Sequence, residues 1–124
     1  MESLYNLSVR ANMGDDFYLS LGDFLDAFYR SDSDTQANMI AATPVDMEKP
    51  ELVPLLAATA HKLAIDFGLV TPQWTFESRC YLPGMSPHFA CNAKGNLRLL
   101  FMYKSPSEFK HRNLFVDENI LIRV

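Results

Sequence analysis

Between Asp16 and Arg30 the chain places Phe17, Leu21, Phe24, Leu25 and Phe28 mostly three or four residues apart, with Asp23, Asp26 and Arg30 on other positions. That period matches one face of an α-helix and fails the two-residue alternation of a half-buried strand. A helix of this kind must cover its apolar face, and two further segments offer partners. Ser31-Asp32-Ser33-Asp34 interrupts the pattern with cap residues, and Ser33 followed by Gln36 has the form of a capping box opening a helix to about Ala42, which Pro44 closes. A third helix is predicted from about Pro50 to Phe67. Leu52, Leu55, Leu56, Leu63 and Phe67 fall near one stripe, Ala57, Ala58, Ala60 and Ala64 favour helix, and Gly68 supplies a C-cap. Pro54 fits only within the first turn, where its missing N–H has no intrahelical acceptor.

The other segments carry weaker patterns. Leu4, Leu7 and Val9 fit one face of a helix or a short strand, so residues 1–15 are read as a tail that docks on the body or on a second copy. Pro72, Pro83, Gly84 and Pro87 restrict residues 70–92 to a short turn of helix at Pro72 to Phe76, with Trp74 and Phe76 plugging the core from a loop. Leu97, Leu99, Leu100, Phe101 and Met102 suit a buried helix, and so short a run also suits a strand. Ser105-Pro106-x-Glu108 reads as a cap with proline at the first helical position, giving a short helix at about Pro106 to His111. An amphipathic turn from Asp117 to Ile122 follows. The expected fold is all-α, one compact domain over residues 16–124 with five or six short helices and no or minimal sheet.

With 124 residues and 48% hydrophobic content the chain can bury one continuous core, whereas two domains would each be marginal. Its apolar runs fall far short of the roughly 20 residues needed to span a bilayer. The start, Met1-Glu2-Ser3-Leu4, lacks the basic opening and apolar stretch of a secretory signal, and two cysteines cannot form a disulfide framework. A reduced, cytoplasmic setting without membrane contact is the expectation. Charge is unevenly spread: four basic residues stand against eleven acidic ones through residue 70, and seven against four afterwards, within a net charge of −4. An acidic half repels phosphate while a basic half attracts acidic surfaces, which favours a protein partner or pairing of two copies over nucleic acid.

Candidate chemistry is sparse. Cys80, His88, Cys91 and His111 are zinc-type ligands, but only His88 and Cys91 are close in sequence, and buried free thiols are the simpler reading. Ser86, within Pro83-Gly84-Met85-Ser86-Pro87-His88, lacks the glycine-flanked form of an acyl-transfer nucleophile. Asp15, Asp16, Asp23 and Asp26 match no cation-binding loop and read as a solvated face. Arg98, Lys104, Lys110, His111, Arg112 and Arg123 interleave with Phe101, Tyr103, Phe109 and Phe115, a mix that binds single-stranded nucleic acid but also builds amphipathic helices. No catalytic residue, metal or cofactor is expected. The Cys80 to Cys91 loop with His88 is the place an enzyme or small-ligand site would occupy. Arg112, Asn113, Asp117 and Asn119 form the densest polar group, and Arg112 among apolar neighbours demands partners for its five donors. An internal bond from Arg112 to an aspartate would tie down the C-terminal turn; an exposed anchor for a partner is the other reading.

The stretch Ser105-Pro106-Ser107-Glu108-Phe109-Lys110-His111-Arg112-Asn113-Leu114-Phe115-Val116, continuing to Asn119, resembles the C-terminal block of an uncharacterised bacterial family that typically reads Ser-Pro-x-x-Phe-x-x-Arg-Asn-Ile/Leu-Phe-Val. Pro72-x-Trp74 is similar to the family's Pro-x-Trp, as is Phe24-Leu25-x-x-Phe28 followed by Ser33, so the likeness covers roughly residues 17–122. Many members carry an Xre-like helix-turn-helix ahead of this region and are encoded beside a nucleotidyltransferase-like protein. No such DNA-binding segment precedes the shared region here, so DNA recognition does not carry over. The resemblance implies an antitoxin-like or partner-binding role and no catalytic residues. Phe109, Arg112, Asn113, Phe115 and Asp117 are the partner-binding residues expected on this reading, with Phe109, Arg112 and Phe115 as exposed anchors.

Overall fold

The computed structural model describes residues 2–90 and 93–122. Six α-helices are present among them: α1 Leu4–Asn12, α2 Phe17–Tyr29, α3 Ser33–Ala41, α4 Leu52–Asp66, α5 Asn96–Lys104 and α6 Ser107–Lys110. Two-residue strands β1, His88–Phe89, and β2, Leu114–Phe115, pair in parallel with His88 opposite Leu114 and Phe89 opposite Phe115. The mainly helical architecture agrees with the spacing of the apolar residues.

The open N-terminal segment is a helix. Ser3 caps it by accepting from the Asn6 amide at 3.1 Å, and Leu4 and Leu7 are fully buried against α2 and α3, so the chain's own body is what it docks on. In α2 the expected stripe of Phe17, Leu21, Phe24, Leu25 and Phe28 is buried, with Asp16 as cap at 2.9 Å from the Leu19 amide. The cap of α3 is Asp32 rather than Ser33, one residue earlier than the capping-box reading, because the aspartate carboxylate reaches the Thr35 amide at 2.9 Å. Gln36 faces inward instead and donates to the Phe28 carbonyl at 2.9 Å, locking α3 to the end of α2.

Helix α4 is the hub. Ten of its fifteen residues are buried, including Ala57, Ala58, Ala60 and Ala64, whose small side chains allow other elements to approach on several sides. It starts at Leu52 rather than Pro50, which puts Pro54 at its third position, inside the first turn. Gly68, at φ +69°, closes it: the Leu69 amide donates to Ala64 O at 2.8 Å and the Gly68 amide to Ile65 O at 3.4 Å, a Schellman ending that needs a left-handed residue.

A 3-10 turn at Gln73–Phe76 and another at Ser78–Cys80 pack on α4, as does α6. Trp74 plugs the core as expected and donates its indole N–H to Ile40 O at 3.0 Å, which satisfies a carbonyl near the end of α3. Phe76 does not enter the core: it is 50% exposed and lies edge-on to His61 with ring centroids 5.2 Å apart. In α5 only Phe101 is buried, against the expectation of a buried helix. The segment Asp117–Ile122 forms turns rather than a helix, tied back where the Tyr29 hydroxyl donates to Leu121 O at 2.5 Å. Among the described residues no helix is long and apolar enough to cross a membrane.

Candidate functional site

The C-terminal block that carried the resemblance turns Ser105, Phe109, Arg112, Leu114 and Val116 into the interior. Phe109, Leu114 and Val116 are fully buried and Arg112 is 1% exposed, which corrects the expectation that Phe109 and Arg112 present themselves to a partner. The physical reason lies in the turn. Asn113 takes the left-handed conformation at φ 65°, donates its side-chain amide to Pro83 O at 2.7 Å and lends its own carbonyl to the His88 amide at 3.1 Å. This reversal folds the block under residues 82–88 and swings Arg112 inward between α4 and the Gln73–Phe76 turn.

Arg112 does not bond Asp117. Its Nη2 donates to Thr75 O at 2.9 Å, and its Nη1 donates to Glu108 O at 2.9 Å and lies 3.2 Å from His61 Nδ1. The guanidinium carbon sits 4.9 Å from the Tyr81 ring centre and 5.9 Å from that of Phe76, so aromatic faces supply part of what a carboxylate would. Nε is buried with no hydrogen-bond partner. Burial pulls the guanidinium below its usual range, opposed by Tyr81, Cys80 and Glu108, yet an arginine remains a cation. Arg112 therefore joins α4, the 3-10 turn and α6, a binding role directed inward.

Of the five expected contact residues, Asn113, Phe115 and Asp117 retain access to solvent. Phe115 is half-buried and stacks on Phe89 with centroids 5.0 Å apart, while Asp117 is exposed and accepts from the Asn119 amide at 2.8 Å. Asn113 is half-buried in its turn.

The large accessible surface lies one element earlier, on α5. Leu97, Leu99, Leu100, Met102 and Tyr103, five of its nine residues, are exposed, with Leu99 at 64% and Tyr103 at 77%. The helix is nonetheless well anchored. The Ser105 hydroxyl lies 2.5 Å from Phe101 O and 2.8 Å from Val116 O, sharing one proton between them, and accepts from the Val116 amide at 2.7 Å. The Lys110 ammonium donates to Tyr103 O at 2.7 Å, capping the helix at the end where a cation is favoured. Arg98 lies over the Phe89 ring at 4.0 Å. Exposed apolar side chains gathered on one element are a feature that many protein–protein contact surfaces share. The spacing did not reveal this exposure, because a short run such as Leu97 and Leu99 to Met102 reads equally well as a buried element.

Among the described residues, Cys80 and His88 do not share a pocket wall. Cys80 is fully buried, donates its S–H to Trp74 O at 3.2 Å, and has its thiol pushed up by burial, so it is a packing residue. His88 instead lines a groove of about 500 Å³ with Glu51, Asp117 and Phe101, and Cys80 is not in its walls. Cys91 and Arg123 lie outside the described residues. Ser86, His88 and Glu51 share a pocket of about 360 Å³, and His88 Nε2 has no hydrogen-bond partner. Among the described residues no three His, Cys, Asp or Glu side chains are grouped to hold a metal. Of the basic residues, Arg112 is interior and Lys110 is engaged with α5, which thins the surface a nucleic acid would need. Comparison with known proteins finds no matching family model, no matching curated protein and no matching solved structure.

Proposed function

We propose that this chain is a non-catalytic protein-interaction domain whose contact surface is α5. The observation that carries the reading is the exposure of five large apolar side chains on one short, anchored helix. Full burial of each stabilises a complex by roughly 1.5–3 kcal/mol before the costs of association, so even partial coverage is a substantial driving force. Between Lys94 and Lys104 the sequence holds Lys94, Arg98 and Lys104 and no acidic residue. The complementary partner is a protein with an apolar groove rimmed by carboxylates, engaged in a helix-in-groove mode. Two copies joined through α5 would bring these cations together, which disfavours self-pairing.

The likeness of the Ser105 to Asn119 block makes a nucleotidyltransferase-like protein the candidate partner and an antitoxin-like role the candidate biology. A cytoplasmic setting belongs to the same proposal, supported by Cys80 being a buried free thiol.

The test is capture of the tagged chain's partner from its native host, followed by reconstitution with purified wild type, the Leu99→Glu/Tyr103→Glu variant, and Val70→Glu as a control outside α5 at a position that is 90% exposed. Loss of at least about tenfold in affinity for the α5 variant alone supports the reading. Equal retention by all three sinks it. Self-association abolished by the α5 variant, or binding only to anionic vesicles, replaces the proposed partner with a second copy or a lipid surface.

A further inference from the structure

We infer that the contact between His61 and Arg112 is an acid-released latch that holds α6 and the turn after it against α4. The two side chains meet across the junction of these helices, with Arg112 Nη1 3.2 Å from His61 Nδ1. At that distance the contact is a hydrogen bond only while Nδ1 carries a lone pair. Protonation turns the same nitrogen into a donor facing a guanidinium, so an attraction becomes a repulsion between two cations. The guanidinium is committed elsewhere: Arg112 is 1% exposed, and Nη1 and Nη2 also donate to Glu108 O and Thr75 O, each at 2.9 Å. His61 is half-buried, and its edge-on neighbour Phe76 is 50% exposed, so the ring has a way outward. Its departure removes one of the three groups that hold the guanidinium, which makes it easier for α6 to lift off α4.

The charged and titratable groups around the pair come from each element packed on it. On α4, Lys62 is already paired with Asp66 at 3.0 Å. From α6 and its turn, Glu108 favours the imidazolium and His111 opposes it. Cys80 and Tyr81 act on the guanidinium from the second 3-10 turn and the residue after it, and Glu77 just before that turn is taken by Arg79 at 3.0 Å. Among these groups Glu108 is the one carboxylate outside an ion pair, and its effect on His61 is weaker than that of burial or of Arg112. The closed junction therefore binds the proton less readily than an open one, in which the imidazole returns toward its ordinary value near 6.5. The latch is closed above about pH 6.5, and opening grows as pH falls through the lower value of the closed state. What it releases is a small unit, since α6 is only Ser107–Lys110, and short elements open at less cost than the whole core.

The experiment follows native-state amide exchange of the purified chain by NMR from about pH 7.5 to about pH 5, corrected for the intrinsic pH dependence of exchange. The hydrogen-bonded amides of residues 109–113 report on the latch, and those of residues 21–28 in α2 serve as the internal reference. A side-chain imidazole titration of the same samples gives the midpoint of His61. Protection at 109–113 is expected to fall at least about threefold relative to α2, with the midpoint of His61, and His61→Gln should abolish the fall. Three results read on the wild type overturn the inference even where the variant fails to fold: no loss of protection at 109–113, equal loss in both regions, or a His61 midpoint at or above about 6.5. An undiminished fall in a folded His61→Gln does the same. None of these outcomes depends on α5 being a contact surface, so failure here leaves the interaction reading to its own test.

Discussion

Arg112, in the turn after α6, places its Nη1 3.2 Å from Nδ1 of His61 on α4, a contact between residues 51 positions apart. For that contact to be a hydrogen bond, the imidazole must accept through Nδ1 and carry its proton on Nε2. A buried cation is thus held by two carbonyls and a neutral ring, with no carboxylate among its hydrogen-bond partners. Removing it leaves those acceptors buried without donors. Arg112→Ala is expected to cost about 3 kcal/mol in urea unfolding, and Arg112→Lys most of that, since an ammonium cannot fork to Thr75 O and Glu108 O while lying against Tyr81.

The same contact makes stability depend on pH. Burial, the positive charge of Arg112 and, less strongly, His111 lower the His61 pKa below its ordinary value, with Glu108 opposing. The unfolded chain, with its histidine near 6.5, takes up this proton before the folded chain does. The contribution is fully present above about pH 6.5 and is lost as pH falls through the lower folded value. His61→Gln, which keeps an acceptor for Arg112 but cannot titrate, should remove this part of the acid destabilisation in denaturant midpoints measured across that window. An unchanged pH profile would show that His61 does not carry it.

Ser105 ties the end of α5 to the residue after β2 through the Val116 amide and carbonyl. Ser105→Ala leaves that buried N–H without a partner and should destabilise the fold by roughly 1–3 kcal/mol. Faster amide exchange at Val116 than in the wild type is the local readout. Thermal unfolding gives the global one.

At Asn113 the left-handed φ of 65° permits asparagine or glycine and penalises a β-branched side chain. Asn113→Gly loses the bond to Pro83 O and is expected to cost about 1 kcal/mol. Asn113→Val loses the same bond and adds backbone strain of roughly 1–3 kcal/mol, so the difference between the two variants in chemical denaturation isolates the strain.

Helix positions were legible wherever a single stripe faced the core, as in α2, or where alanine and leucine clustered, as in α4. The sequence motif from Ser105 to Val116 was also legible as something specific, but its meaning was not. A motif rich in arginine, asparagine and phenylalanine serves an interface or a buried junction equally well, and the difference is fixed by a backbone reversal at Asn113 that no residue spacing encodes. For α5 the apolar run matched a core helix in composition, yet its packing, chiefly against β2, leaves only Phe101 covered. The contact between His61 and Arg112 joins residues 51 positions apart, so it had no local signature.

Amide hydrogen exchange across Asn96 to Lys104, compared between the free chain and its reconstituted complex with the captured partner, tests the contact surface at residue level. Marked slowing along α5 on complex formation, centred on Leu99 to Tyr103, is the result this account predicts. Unchanged exchange along α5, with slowing confined to another face of the same complex, contradicts it.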